Sequence, residues 1–160
     1  MTWKIYVAGA YAARADVSRY LARLWGIGAE ITLDWPAVIA AAGKPDSELT
    51  AEERQHYAEM DLVAVEQADI VWLMIPVADS KGSWVKFGYA IAWARWTARL
   101  NAVAAKFRPD APPLRQPRII IASGDQRACI FGSARGVLTY DTHADAFSAI
   151  SALVVRGGTP

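Results

Sequence analysis

The feature that most constrains this chain is the run Asp69-Ile-Val-Trp-Leu-Met-Ile-Pro76. It is apolar on both of its alternating faces, a pattern that suits a strand covered on both sides rather than one half exposed to water. Central strands of parallel sheets are such strands, and the rest of the chain supplies the partners. Trp3 to Ala8 is a short β-rich run ended by Gly9. Glu30 to Trp35 alternates and is β-branched, with Pro36 closing it because proline cannot donate to a sheet ladder. Arg118 to Ala122 predicts a fourth strand and Val137 to Tyr140 a short fifth.

Helical periodicity fills the gaps. Val17, Tyr20, Leu21, Leu24 and Trp25 recur at helical spacing between Arg14 and Trp25, and Gly26 and Gly28 stop that helix. Residues 36 to 49 read as irregular, with a turn-rich centre from Gly43 to Asp46. Thr50-Ala-Glu-Glu53 is a capping box, and the helix it opens runs to about Gln67 with Tyr57, Met60, Asp61, Ala64 and Val65 on one face. A polar loop from Val77 to Ser83 leads to a long helix from Trp84 to about Ala105. A proline-rich connection spans Arg108 to Pro117. Asp141 or Thr142 caps a last helix that reaches about Val155.

Strand and helix therefore alternate throughout, with no internal repeat and no linker. That predicts one α/β domain over residues 1–160: a flavodoxin-like three-layer sandwich with a five-stranded parallel sheet in the order 2-1-3-4-5. In such a sheet ligands bind beyond the carboxyl ends of the strands, where the order reverses between strands one and three.

Composition narrows the function. A chain of 160 residues buries enough surface to dispense with staples, and its single cysteine, Cys129, reads as a small apolar residue. The formal charge of +1 leaves no electrostatic footprint for nucleic acid or an anionic membrane. No signal-peptide core and no membrane-length apolar stretch is present in the sequence, which sets a cytoplasmic protein as the expectation. No His/Cys/Asp cluster has metal-ligand spacing, so neither metal nor cofactor is expected. Seven Trp is a heavy load. Trp93 and Trp96 lie on the long helix opened by Trp84, and this aromatic density predicts a homodimer or higher homo-oligomer formed through that helix.

Three segments converge on the expected crevice: Gly9-Ala-Tyr11 after strand one, Asp61 on the face that carries Tyr57, and Asp79 to Gly88 after strand three. Gly82 and Ser83 at a helix start offer amides and a hydroxyl to an anion, and Gly88 permits close approach. Tyr6 and Tyr11 are candidates for base or sugar contact. Asp34 and Trp35, at the end of strand two, lie beside the crevice. His56 reads as a surface residue, and His143 as a first-turn residue of the last helix.

These blocks resemble the nucleoside 2-deoxyribosyltransferase family, which includes deoxynucleoside monophosphate N-glycosidases. Lys-Ile-Tyr-Val-Ala-Gly-Ala-Tyr11 looks like the family's opening strand and substrate loop. Asp61-Leu-Val-Ala-Val-Glu-Gln-Ala-Asp69-Ile-Val is similar to its Asp-x-x-x-(hydrophobic)-x-x-(small)-Asp-(hydrophobic) signature. Gly82-Ser-Trp-Val-Lys86-Phe-Gly88-Tyr-Ala90 matches Gly-(Thr/Ser)-x-x-Glu-x-Gly-x-Ala at every fixed position but one. The resemblance implies transfer or hydrolysis at the N-glycosidic bond of a nucleoside or its monophosphate, by a glutamate that attacks the anomeric carbon. Lys86 occupies that glutamate's position. An ammonium cannot stabilise a developing oxocarbenium ion, and a neutral amine would form an N-glycoside that is hard to release.

Four readings follow. The chain binds nucleotides without chemistry, as a sensor or partner-binding module, with Lys86 on a phosphate. Or a relocated carboxylate, Asp61 or Asp79, carries the reaction. Or Lys86 forms a Schiff base with an opened sugar or an aldehyde. Or Lys86 is a solvated helix residue. Monophosphates are the expected ligands, because Lys86 beside a helix N-terminus favours an additional negative charge. A cytokinin-riboside type of Rossmann-like domain is disfavoured, because its Gly-Gly-Gly-x-Gly loop is missing.

Overall fold

The computed structural model describes residues 2–44, 48–76, 80–114, 117–126 and 130–156. Asp79 and Cys129 lie outside the described residues. Five parallel strands form one sheet: β1 (Lys4–Ala8), β2 (Glu30–Ile31), β3 (Ile70–Met74), β4 (Ile119–Ser123) and β5 (Val137–Tyr140), in the order β2-β1-β3-β4-β5. β3 is buried at every residue and pairs on both sides, Val71 opposite Tyr6 and Ile120. Its doubly apolar sequence is what a strand needs when helices cover both of its faces.

The register sorts the layers. Val7 lies opposite Trp72, and Trp72 packs edge-on against Tyr20 of α1 (Arg14–Gly26). α1 and α5 (His143–Val155) therefore cover this face. Tyr6 and Val71 face the opposite way, towards α3 (Ala51–Gln67) and α4 (Lys81–Phe107). At the end of β1, a Cβ on Gly9 would come within 2.7 Å of Val17 Cγ2. Glycine at this position lets the chain turn directly beneath α1.

The second strand is shorter than its alternation suggests. β2 stops at Ile31, and Trp35 opens α2 (Trp35–Ala42) instead of ending a strand. The reason is local. Asp34 Oδ1 accepts from the amide of Ala37 at 3.1 Å, and Pro36 sits in the first helical turn, where no amide donor is needed. Pro36 therefore starts a helix where the sequence reading had it close a strand, and residues expected to be irregular form α2. Gly43, at φ +66°, ends α2 in the left-handed conformation that glycine tolerates.

α3 opens on the expected capping box. Thr50 Oγ1 accepts from the Glu53 amide at 3.2 Å, and the Glu53 carboxylate accepts from the Thr50 amide at 2.8 Å. α4 begins at Lys81, three residues before Trp84, and runs for 27 residues or about 40 Å. That is more than twice the length of a five-residue strand, and its last turns, from Ala102 onward, project into solvent. Among the described residues no helix is long and apolar enough to cross a membrane.

Candidate functional site

A cavity of about 380 Å³ opens where the strand order reverses, at the carboxyl ends of β1 and β3. This volume falls in the range of small-molecule sites. Gly9 and Tyr11 line it from the turn after β1, and Tyr57, Met60 and Asp61 from α3. Ser80, Gly82, Ser83 and Lys86 line it from the start of α4. α2 contributes Trp35, Val38 and Ile39, an apolar wall. Its position follows from the Asp34 cap, which turns the chain back over the crevice.

Asp61 is the chemical centre of this cavity. Its Oδ1 accepts from the Tyr6 hydroxyl at 2.5 Å and its Oδ2 from Lys86 Nζ at 3.1 Å. Each carboxylate oxygen thus has its own donor. Burial pushes the Tyr6 phenol well above its ordinary pKa, and the charge and hydrogen bond of Asp61 add to the effect. Tyr6 therefore stays protonated and donates. Lys86 and Asp61 are mostly enclosed, at 15% and 24% side-chain exposure. The ammonium of Lys86 also lies 5.5 Å from the centroid of the Trp35 ring, whose indole Nε1 donates to the Val7 carbonyl at 2.8 Å. That buried bond fixes the ring, so its face is presented to the cation.

The Ser80 and Ser83 hydroxyls are 2.6 Å apart at the start of α4. At the outer wall Lys44 Nζ contacts both Glu53 oxygens, at 2.6 and 2.7 Å, and so ties the end of α2 to α3. This contact, with the capping bond from Thr50, holds the Glu53 carboxyl below its usual range.

Gly9, Tyr11, Asp61, Gly82, Ser83 and Lys86 meet at this one cavity. Tyr6 is fully buried beneath it and reaches it only through Asp61. Asp34 is the cap of α2 and is not among the residues lining the cavity. Nor is Gly88, and a Cβ there would meet nothing within 4 Å, so no other element packs against it. Arg54, Tyr57 and Trp35 also line it. Arg54, Tyr57 and Ala58 stand seven, four and three residues before Asp61, a spacing that already places them on its helix face. Among the described residues no group of three His, Cys, Asp or Glu side chains gathers as metal ligands would.

No family model and no curated protein sequence matches this chain. Among solved structures it is similar to the CMP N-glycosidase BcmB of Clostridium botulinum, with a TM-score of 0.50 and 11% identity. The match covers 93% of this chain and 98% of the other. What the two share is the fold. At this level of identity the site must be read from its own side chains.

The one described carboxylate lining the cavity, Asp61, is held by two donors, one of them an ammonium. A carboxylate has about four acceptor sites, so two stay open to a ligand, but the adjacent ammonium opposes the positive charge that develops at an anomeric carbon. The same arrangement makes a good cradle: an aromatic wall, two hydroxyls at a helix start and a fixed ion pair.

Proposed function

We propose that this chain binds a nucleoside or nucleoside monophosphate in the crevice between β1 and β3 and does not cleave it by a covalent sugar ester. The Asp61–Lys86 ion pair carries the reading. The ammonium stands where the family resemblance expects a nucleophilic glutamate, and the nearby carboxylate is already engaged. The Trp35 wall and Tyr57 offer stacking and apolar contact to a base. Ser80, Gly82 and Ser83 offer hydrogen bonds to the sugar or its phosphate. The similarity in fold to a CMP N-glycosidase supports a ligand of this class.

The expected result is saturable binding of at least one deoxynucleoside or 5′-monophosphate by calorimetry, with no free base released on chromatography. No binding to any of them would end this reading. The second reading is a relocated carboxylate, and Asp61 is favoured for it by its place in the cavity. Free base that persists in Lys86→Ala and vanishes in Asp61→Ala would establish it. Turnover that appears only in Lys86→Glu would mark a dismantled active site.

The proposal extends to a homo-oligomer formed through α4. Val85, Trp96 and Phe107 are 65%, 57% and 80% exposed along that helix, whereas Trp93 is half-buried and stacks on Tyr89. The mass in solution by light scattering is expected to drop to that of one chain in Trp96→Asp. A wild-type chain that is already monomeric contradicts the proposal.

A further inference from the structure

The cationic side chains along the crevice are not equivalent. Lys86 is offset by Asp61 at 3.1 Å. Lys44 is offset by Glu53 at 2.6 Å, and both Glu53 oxygens are occupied by that lysine, one of them also by the Thr50 amide. That leaves Arg54. Among the described residues its one hydrogen bond is from Nη1 to the Leu49 carbonyl, at 2.6 Å. A neutral carbonyl does not cancel a charge, and a guanidinium has five donors of which one is used. The bond to Leu49 does, however, hold the fork in place at the wall of the cavity, which reduces the cost of ordering it around a ligand. Arg54 stands seven residues before Asp61, two turns or about 10 Å along α3 and towards the mouth of the crevice. This separation suits a ligand whose reactive or neutral end lies at the Asp61–Lys86 pair and whose anionic end lies outward.

We infer that Arg54 is the residue that selects a phosphorylated ligand, a nucleoside 5′-monophosphate over the nucleoside, and that Lys86 does not supply this selectivity. The inference rests on the nucleotide reading of the crevice and sharpens it. A planar guanidinium forms paired, charge-assisted bonds to phosphate oxygens, whereas the charge of Lys86 is already offset by Asp61. The contribution of Arg54 also weakens with salt, because its side chain is exposed.

Calorimetric titration of deoxynucleosides and their 5′-monophosphates against the parent, Arg54→Gln and Lys86→Met tests it. The parent is expected to prefer a monophosphate over its nucleoside by about tenfold or more. In Arg54→Gln that ratio falls towards one while nucleoside affinity is retained. In Lys86→Met both affinities shift together and the ratio survives. Circular dichroism on each variant confirms that the chain is folded. A ratio that survives Arg54→Gln, or collapses in Lys86→Met, overturns the inference even though ligands bind. A parent that binds neither nucleoside nor monophosphate sinks the nucleotide reading itself, and the inference with it.

Discussion

Two polar clusters sit at the carboxyl ends of the strands, on opposite faces of the sheet, and they differ in what lies in front of them. At the crevice, Tyr6, Asp61 and Lys86 are bonded in a chain that opens onto a cavity of about 380 Å³. Across the sheet, Trp72 Nε1 donates to Ser123 Oγ at 2.7 Å, and Ser123 Oγ lies 2.7 Å from His143 Nδ1. Ser123 accepts from Trp72 and keeps a proton and a second lone pair, so it can serve either tautomer of the imidazole. This second chain resembles a serine–histidine pair, but Ser123 has no exposed surface and Tyr20 packs edge-on against both of its partners, Trp72 and His143. Hydrogen-bonded polar side chains at strand ends therefore do not by themselves mark a site. An adjoining cavity does.

If that distinction is right, the closed cluster governs stability and the open one governs binding. The largest expected effect is Trp72→Ala, which removes a fully buried ring and should cost about 3–5 kcal/mol in urea unfolding. A loss of ligand affinity with little loss of stability would break the comparison. Ser123→Ala comes next. It strips the partner from the Trp72 indole and from His143 Nδ1, an expected cost of about 1–3 kcal/mol, again without a change in ligand affinity. Thr50→Ala, which removes the α3 cap behind the crevice wall, should cost about 1 kcal/mol. The smallest stability effect is expected from Lys86→Met, at or below about 1 kcal/mol, because Asp61 keeps the Tyr6 donor and faces the open cavity. Its consequence should be read in ligand affinity instead.

Acid sharpens the same contrast. Burial holds the His143 pKa below its ordinary 6.5; Asp16 opposes the shift and Arg19 reinforces it. The unfolded chain therefore takes up a proton that the folded chain refuses. The stability linked to His143 is complete above pH 6.5 and is lost as the pH falls from there through the folded pKa. The urea midpoint of the parent should accordingly decline over this window more steeply than that of His143→Phe. Equal slopes would show that the histidine is not held neutral.

Much of this was legible in the sequence, for identifiable reasons. The alternation of strands and helices favoured the order 2-1-3-4-5, one of the few windings that keep crossovers between parallel strands right-handed. Asp61, Gly82, Ser83 and Lys86 were expected together because that order brings the end of β3 and the face of α3 to one crevice. The second strand was misread because Glu30 to Trp35 alternates like a strand, while the helix signal of Asp34 followed by Pro36 spans only a few residues. That error hid the rest of the α2 wall, Val38 and Ile39, although Trp35 itself was expected beside the crevice. Arg54 escaped notice because an arginine in a polar first turn looks like solvent-facing charge, although its spacing to Asp61 was there to be read. The partnership of His143 with Ser123 joins residues twenty apart on different elements, and no local pattern encodes it.

The two clusters carry a reporter each, the indole N–H of Trp35 at the crevice and that of Trp72 behind the sheet. Titrating ¹⁵N-labelled protein with a nucleoside 5′-monophosphate tests the central claim most directly. The Trp35 indole resonance should move to saturation while that of Trp72 stays fixed. Saturable movement at Trp72 with none at Trp35, or no movement at either, would contradict a nucleotide site in the β1/β3 crevice.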